Sequence, residues 1–106
     1  MTMKKDEGLQ YARLLKKKLV KAGFPIQQVY LFGSVASEEA TGESDIDIAV
    51  VSLPFKNSRR EENVDFFRTG NDIDLRIETV CLHPEDLENK YSTLVHEVKT
   101  HGIPVD

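Results

Sequence analysis

The chain has 106 residues, of which 40% are hydrophobic and 30% are charged, and its formal net charge is −4. These values indicate one folded globular domain and argue against a disordered chain. No apolar run approaches the ~18 residues of a membrane span, and no secretory signal follows the first lysines, so we expect a cytoplasmic protein. The single cysteine, Cys81, is predicted to pack in the core of a reduced protein.

The charges are distributed unevenly along the chain. Residues 1–23 carry seven basic and two acidic side chains, whereas the remaining 83 residues carry seven basic and sixteen acidic ones. An acidic body without interleaved basic and aromatic residues argues against direct binding to nucleic acid. A nucleotide bound through a metal ion remains compatible with this charge, because the cation supplies the positive charge.

Residues 4–22 are predicted to form the first helix, which Gly23 ends. One face of this helix is apolar and the opposite face is basic. The apolar face comprises Tyr11, Ala12, Leu15, Leu19 and Ala22, and the basic face comprises Arg13, Lys17 and Lys21. The basic face is either a solvated surface or a docking surface for an acidic partner.

A strand over Val29–Phe32 is predicted next, and it continues into a Gly33-Ser34 turn. Such a turn can present backbone N–H groups and a hydroxyl to a phosphate. In the polar loop that follows, a short helix over Glu38–Ala40 is expected.

A second strand is predicted over residues 44–52, and it carries Asp45 and Asp47 near its start. Residues two apart in a strand point to the same face, so the two carboxylates are expected to lie side by side. Paired carboxylates suit a magnesium ion whose other ligands are waters and substrate phosphates.

Further helices and strands are predicted for the second half of the chain. They are a helix over Arg59–Arg68, a strand over Asp72–Leu82, a helix from Pro84 to His101 that Gly102 ends, and an edge strand over Ile103–Val105. The strand over Asp72–Leu82 alternates, with Asp72, Asp74, Arg76 and Glu78 on its polar face. This order of elements predicts a mixed α/β domain.

A third carboxylate is expected to join the pair on the second strand. If the strand that carries Asp74 lies beside the second strand, Asp45, Asp47 and Asp74 converge at one end of the sheet. Two carboxylates ~4 Å apart repel each other by roughly 4 kcal/mol at an effective dielectric of 20, which implies a bound cation. Asp72 and Glu78 share the polar face with Asp74, so the identity of the third acid stays open between these residues.

The spacing from Gly33-Ser34 to Asp45 and Asp47, followed by a later strand-borne acid, resembles the nucleotidyltransferase superfamily related to DNA polymerase β. The small size resembles its minimal nucleotidyltransferase (MNT) branch. The resemblance covers essentially the whole chain. It implies one nucleotidyltransferase domain over residues 1–106, in which a small mixed sheet is flanked by helices.

The resemblance also implies which residues form the site. Asp45, Asp47 and Asp74 would be the catalytic residues and the ligands of two Mg²⁺ ions. Gly33, Ser34 and Ser44 would bind the nucleoside triphosphate, with ATP as the expected nucleotide. The loop over residues 35–39 contains Glu38 and Glu39 but no basic residue. Compensating positive charge would then come from the metal ions, from Arg76 or from residues 56–60.

Three functions are compatible with this site. In the first, the chain transfers a nucleoside monophosphate, expected to be AMP, to a hydroxyl. The resemblance to the MNT branch implies that this hydroxyl belongs to a HEPN-domain partner protein, with the chain as the antitoxin of a toxin–antitoxin pair. In the second, it is a non-catalytic nucleotide-binding or antitoxin subunit that acts by covering its partner, which the acidic loop favours. The third function is that of an antibiotic-modifying transferase. It is disfavoured because a second domain that would bind the antibiotic is not expected in this chain. The sequence does not decide whether the chain forms a homo-oligomer.

Overall fold

The computed structural model describes residues 5–36 and 45–106. The helices are α1 (Lys5–Lys21), α2 (Gly33–Ala36), α3 (Arg59–Ile73), a 3₁₀ helix (Pro84–Glu88) and α4 (Thr93–His101), and the strands are β1 (Ile26–Phe32), β2 (Ile46–Ser52), β3 (Ile77–Leu82) and β4 (Ile103–Pro104). No helix within these two ranges is long and apolar enough to cross a membrane.

The four described strands form one mixed sheet in the order β3-β2-β1-β4. β1 is antiparallel to both β2 and β4, whereas β2 and β3 run parallel. The connection between the parallel strands contains α3, as a parallel crossover requires. The predicted mixed α/β class is therefore confirmed, and so is the edge position of the C-terminal strand. Of the predicted Asp72–Leu82 strand, the part over Ile77–Leu82 pairs with β2.

One face of the sheet is covered by α1 and α3. α1 buries Ala12, Leu15 and Leu19, while the basic side chains of its predicted opposite face are exposed. α3 contributes Phe66, whose ring lies 5.6 Å from the rings of both Phe24 and Phe55. Aromatic pairs at this separation stabilise a core beyond the area that they bury.

The other face is covered by α4. Val95 and Val98 of this helix pack with a cluster that includes Ala49 and Val51 of β2. Ser92 caps α4 by accepting a hydrogen bond from the Val95 N–H, and such caps contribute about 1 kcal/mol. β2 is thus covered on both faces, which explains why its sequence is almost entirely apolar after Asp47.

The strand predicted over Asp72–Leu82 is wrong in its first half. α3 continues to Ile73, Asp74 is its C-terminal cap, and β3 begins only at Ile77. The helix can continue because Gly70 has no side chain, so that α3 comes close to Ile77 and buries its apolar face there. The alternating pattern from residue 72 to residue 76 therefore reflects a helix end and a short connection.

The prediction of one continuous helix from Pro84 to His101 is also wrong, because this segment forms two helices. A 3₁₀ helix ends at Glu88, and α4 begins at Thr93, after the better capping residue Ser92. Tyr91, which lies between the two helices, is 95% exposed. The helix predicted over Glu38–Ala40 lies outside the described residues.

Candidate active site

The parallel register of β2 and β3 positions the carboxylates. Asp47 is aligned with Glu78, and Ile46 is aligned with Ile77. Partners in such a register share a face of the sheet, so Asp47 and Glu78 both lie on the α4 side. Asp45 lies two residues before Asp47 and is exposed at the start of the strand. One end of the sheet therefore carries three acidic side chains on adjacent strands.

The backbone of Gly33 completes this end of the sheet. Phe32, the last residue of β1, is aligned with Asp47, so the turn that follows lies beside the Asp47 carboxylate. Gly33 has a φ of 75°, and a Cβ at this position would overlap Oδ2 of Asp47. Only glycine allows both this conformation and this close approach. Ser34, which follows, is half-buried at the start of α2.

The pKa of Asp47 shows how the acids affect one another. Burial, followed by the negative charges of Asp45, Glu78 and Glu97, raises the pKa of Asp47 from 3.8 to about 6. A carboxylate with a raised pKa among other carboxylates is a typical cation ligand, because a positive charge relieves both the burial and the repulsion. The donors are all oxygens, which fits Mg²⁺.

Replacing Asp47 with Asn is expected to stabilise the metal-free protein. The folded state takes up a proton near pH 6 and the unfolded state near pH 3.8, so ionised Asp47 is destabilising above pH 6 and the penalty disappears as the pH falls toward 3.8. The full shift corresponds to about 3 kcal/mol, which solvent screening of this half-exposed group reduces to on the order of 1 kcal/mol.

Urea unfolding of the parent and Asp47→Asn at pH 7.5 and pH 4, both with chelator, measures this effect. Asp47→Asn should be more stable at pH 7.5 and nearly equal to the parent at pH 4. The control Glu88→Gln, at an exposed position, should change the free energy of unfolding by less than about 0.5 kcal/mol. If the parent is more stable than Asp47→Asn at pH 7.5, Asp47 is not destabilised by burial and by the neighbouring carboxylates.

Asp74 does not lie on the strand that was predicted to carry it. At the end of α3, its carboxylate accepts hydrogen bonds from the Arg76 side chain at 2.8 and 2.9 Å and from the Arg76 N–H at 2.8 Å. These bonds lower the pKa of Asp74 to about 2. The Arg76 guanidinium also lies 5.7 Å from the ring centre of Tyr11. Asp74 is thus neutralised by a neighbouring cation, and the prediction that it is strand-borne is wrong.

Glu78 occupies the position that was expected of the third acid. It is the one of the three open alternatives that lies within β3, and it is aligned with Asp47. Asp72 is exposed near the end of α3. Ser44, Glu38 and Glu39 lie outside the described residues. Val35, the first residue of the predicted loop after Ser34, lies in α2 and is buried in the core.

Two acidic residues of the structure were missed by the sequence analysis. Glu97 affects the pKa of Asp47 because α4 packs across the sheet, which no local pattern indicates. Glu62 is fully buried on the face of α3 that also buries Phe66 and Gly70. Its spacing of four and eight residues from these two positions was a detectable signal, because residues four apart share a helix face.

Comparison with known proteins agrees with this geometry. The sequence model of the family described as "Polymerase beta, Nucleotidyltransferase" matches residues 15–105. The chain belongs to this family. The resemblance inferred from the spacing of Gly33-Ser34, Asp45 and Asp47 is therefore confirmed at the level of the family. No curated protein matches the sequence at a significant level.

Solved structures show the same fold at low sequence identity. A candidate nucleotidyltransferase from Sulfolobus solfataricus superposes with a TM-score of 0.67 at 17% identity, over 94% of this chain and 80% of that one. A toxin–antitoxin complex with AMP-PNP gives 0.63 at 23% identity, over 87% and 70%. A tri-AMPylated HEPN toxin of Shewanella oneidensis in complex with an MNT antitoxin gives 0.56 at 24% identity, over 91% and 70%.

Proposed function

We propose that the chain is a single-domain, magnesium-dependent nucleotidyltransferase over residues 1–106 that transfers a nucleoside monophosphate from a nucleoside triphosphate to a hydroxyl group. The observation that carries this proposal is the alignment of Asp47 with Glu78 on adjacent strands, next to Asp45 and to the backbone of Gly33. Clustered acids at the open end of a sheet, beside a glycine turn, suit a metal ion that also contacts phosphates. ATP is the proposed nucleotide.

Each residue of the site has a proposed role. Asp45, Asp47 and Glu78 would hold Mg²⁺, two ions being expected, and bound Mg²⁺ would neutralise the charge of the phosphates during the transfer. Gly33 and Ser34 are assigned to the nucleotide because their turn lies directly beside Asp47. Ser44 keeps the nucleotide-binding role that the resemblance implies. For Asp74, which was expected to hold the metal, we now propose a positioning role through its hydrogen bonds to Arg76.

The proposed acceptor is a hydroxyl of a HEPN-type partner protein, with the chain acting as the antitoxin of a toxin–antitoxin pair. Solved structures with the same fold support this proposal, because they include toxin–antitoxin complexes and one AMPylated HEPN toxin. The exposed basic side chains of α1 offer a surface on which an acidic partner could dock.

A second candidate function is a non-catalytic antitoxin subunit that acts only by covering its partner. The position of Glu97 favours this second function, because Glu97 adds to the negative charges of Asp45 and Glu78 around Asp47, where a triphosphate would have to bind. Negative charges that outnumber the metal charge would weaken nucleotide binding. The two functions predict different behaviour of variants that lack the metal ligands.

The test uses Mg²⁺, ATP labelled on the α-phosphate, and the protein encoded by the neighbouring gene. The parent should transfer label to this protein, and Asp45→Ala/Asp47→Ala should transfer at least about 100-fold less, because the metal ligands are lost. The control Glu85→Ala/Glu88→Ala removes the same charge at exposed positions and should retain transfer. Both functions predict that Asp45→Ala/Asp47→Ala still binds the partner, so only the transfer of label distinguishes them.

A second measurement does not depend on the partner. Mg²⁺ and ATP together should raise the melting temperature of the parent more than either does alone, because each completes the binding site of the other. Asp45→Ala/Asp47→Ala should show no such gain. If the parent shows the gain but labels no partner, the second candidate function holds. Equal labelling by parent and double variant would refute the proposed site.

A further inference from the structure

A second cluster of side chains lies on the opposite face of the sheet, where α3 packs on β3. Glu62 of α3, Cys81 of β3 and His83 just after β3 are all buried. Each offers one potential ligand atom, and these three atoms all lie within 4.8 Å of one another. A thiol, an imidazole and a carboxylate at this separation form the donor set of a transition-metal site, unlike the all-oxygen set around Asp47.

The Glu62 carboxylate is held in place by the segment that precedes α3. Its Oε2 accepts hydrogen bonds from the backbone N–H groups of Phe55 at 2.5 Å and Lys56 at 3.2 Å. Its Oε1 points the other way, 2.5 Å from Nε2 of His83 and 3.9 Å from Sγ of Cys81. Supporting hydrogen bonds of this kind orient a carboxylate ligand toward a metal.

The backbone of His83 is held in place by a hydrogen bond that does not involve its ring. Its backbone N–H donates to Oδ2 of Asp86 at 2.8 Å, at the start of the 3₁₀ helix. Cys81 lies two residues earlier on the strand, so both side chains point toward α3. The cluster thus joins two segments of the chain, α3 and the end of β3.

We propose that Glu62, Cys81 and His83 bind one Zn²⁺ ion, with a water molecule as the fourth ligand. Tetrahedral zinc places oxygen, nitrogen and sulfur ligands roughly 3.3 to 3.6 Å apart. The separation between Cys81 and Glu62 is already close to this range. The shorter separation between His83 and Glu62 must widen by about 1 Å, as the ion replaces the hydrogen that the two now share.

The cluster also has a route of entry for the ion. An open cavity of about 270 Å³ is lined by Leu53, Pro54, His83, Pro84 and Glu85. It is open to solvent and has His83 in its wall. Zinc bound here would connect α3 to the end of β3, and the hydrogen bonds of Glu62 would link it to the segment before α3.

Cobalt substitution tests the proposal directly, because Cys81 is the only cysteine of the chain. The full chain, stripped with chelator and kept in excess Mg²⁺, is titrated with Co²⁺. We expect one equivalent to bind with a sulfur-to-cobalt charge-transfer band in the near ultraviolet and with the visible bands of tetrahedral cobalt, both removed by Zn²⁺. This band can arise only from Cys81.

Three variants complete the test. Cys81→Ser should lose the charge-transfer band, and both Cys81→Ser and His83→Gln should bind Zn²⁺ at least about 100-fold more weakly than the parent. His96→Gln, which removes an exposed histidine, should bind like the parent. If Cys81→Ser does not fold, the band of the parent and the His83→Gln affinity decide the outcome. A parent without the band, or tight binding unchanged in His83→Gln, would overturn the proposal.

Discussion

Replacing Glu78 with Gln is expected to lower the rate of nucleotidyl transfer at least about 100-fold, whereas replacing Asp74 with Asn should lower it less than about tenfold. Glu78 is aligned with Asp47 across β2 and β3, so its charge would help to hold the metal. Losing about 3 kcal/mol of transition-state stabilisation reduces a rate by roughly two powers of ten. Asp74 is instead hydrogen-bonded to Arg76.

The two variants form a matched pair, because each replaces one carboxylate with its amide. Transfer should be measured at saturating Mg²⁺ and ATP, well below both melting temperatures, so that loss of stability in Asp74→Asn does not enter the rate. Asp74→Asn should be the less stable of the two, because its partly buried ion pair with Arg76 is lost. A strong loss of transfer in Asp74→Asn together with an active Glu78→Gln would reverse the assignment.

Replacing Glu62 with Ala is expected to lower the free energy of unfolding by about 3–5 kcal/mol, because a buried partner is removed from a charged hydrogen-bond network. Burial alone would raise the pKa of Glu62. The amides of Phe55 and Lys56 and the side chain of His83 outweigh it, so the pKa of Glu62 is lower than usual. The stabilisation should therefore be complete above pH 4.5 and be lost as the pH falls through the lower pKa of the folded state.

Urea unfolding at pH 7 with chelator present measures this loss without any contribution from a bound metal. The control is Glu61→Ala, which removes an exposed acid from the same turn of α3 and should change the free energy of unfolding by less than about 1 kcal/mol. Similar values for the two variants would mean that the buried network does not stabilise the fold.

Much of the fold could be predicted because its signals are local. The apolar face of α1, the apolar run of β2 and the glycine turn after β1 all depend on residues close in sequence. The end of α3 could not be predicted in this way. Gly70 is a helix breaker in isolation, and only its packing against Ile77 shows why the helix passes through it.

The same distinction applies to the site. Asp45 and Asp47 could be proposed as a pair from the sequence, because residues two apart at the start of a strand lie on the same face. Choosing between Asp74 and Glu78 required the end of α3 and the register of β3, both of which are set by tertiary packing. Glu97 lies in α4, fifty residues after Asp47 in the sequence. Its influence on Asp47 could therefore be found only from the packing of α4.

The connection between α3 and β3 is only three residues long, from Asp74 to Arg76. An insertion or deletion of one residue there would either unwind the end of the helix or shift β3 by one position against β2. Because side chains alternate along a strand, such a shift would turn Glu78 toward α3 and place an apolar or hydroxyl side chain beside Asp47. The length of this connection is therefore as much a part of the acidic site as the acids themselves, and it should resist changes that surface loops tolerate.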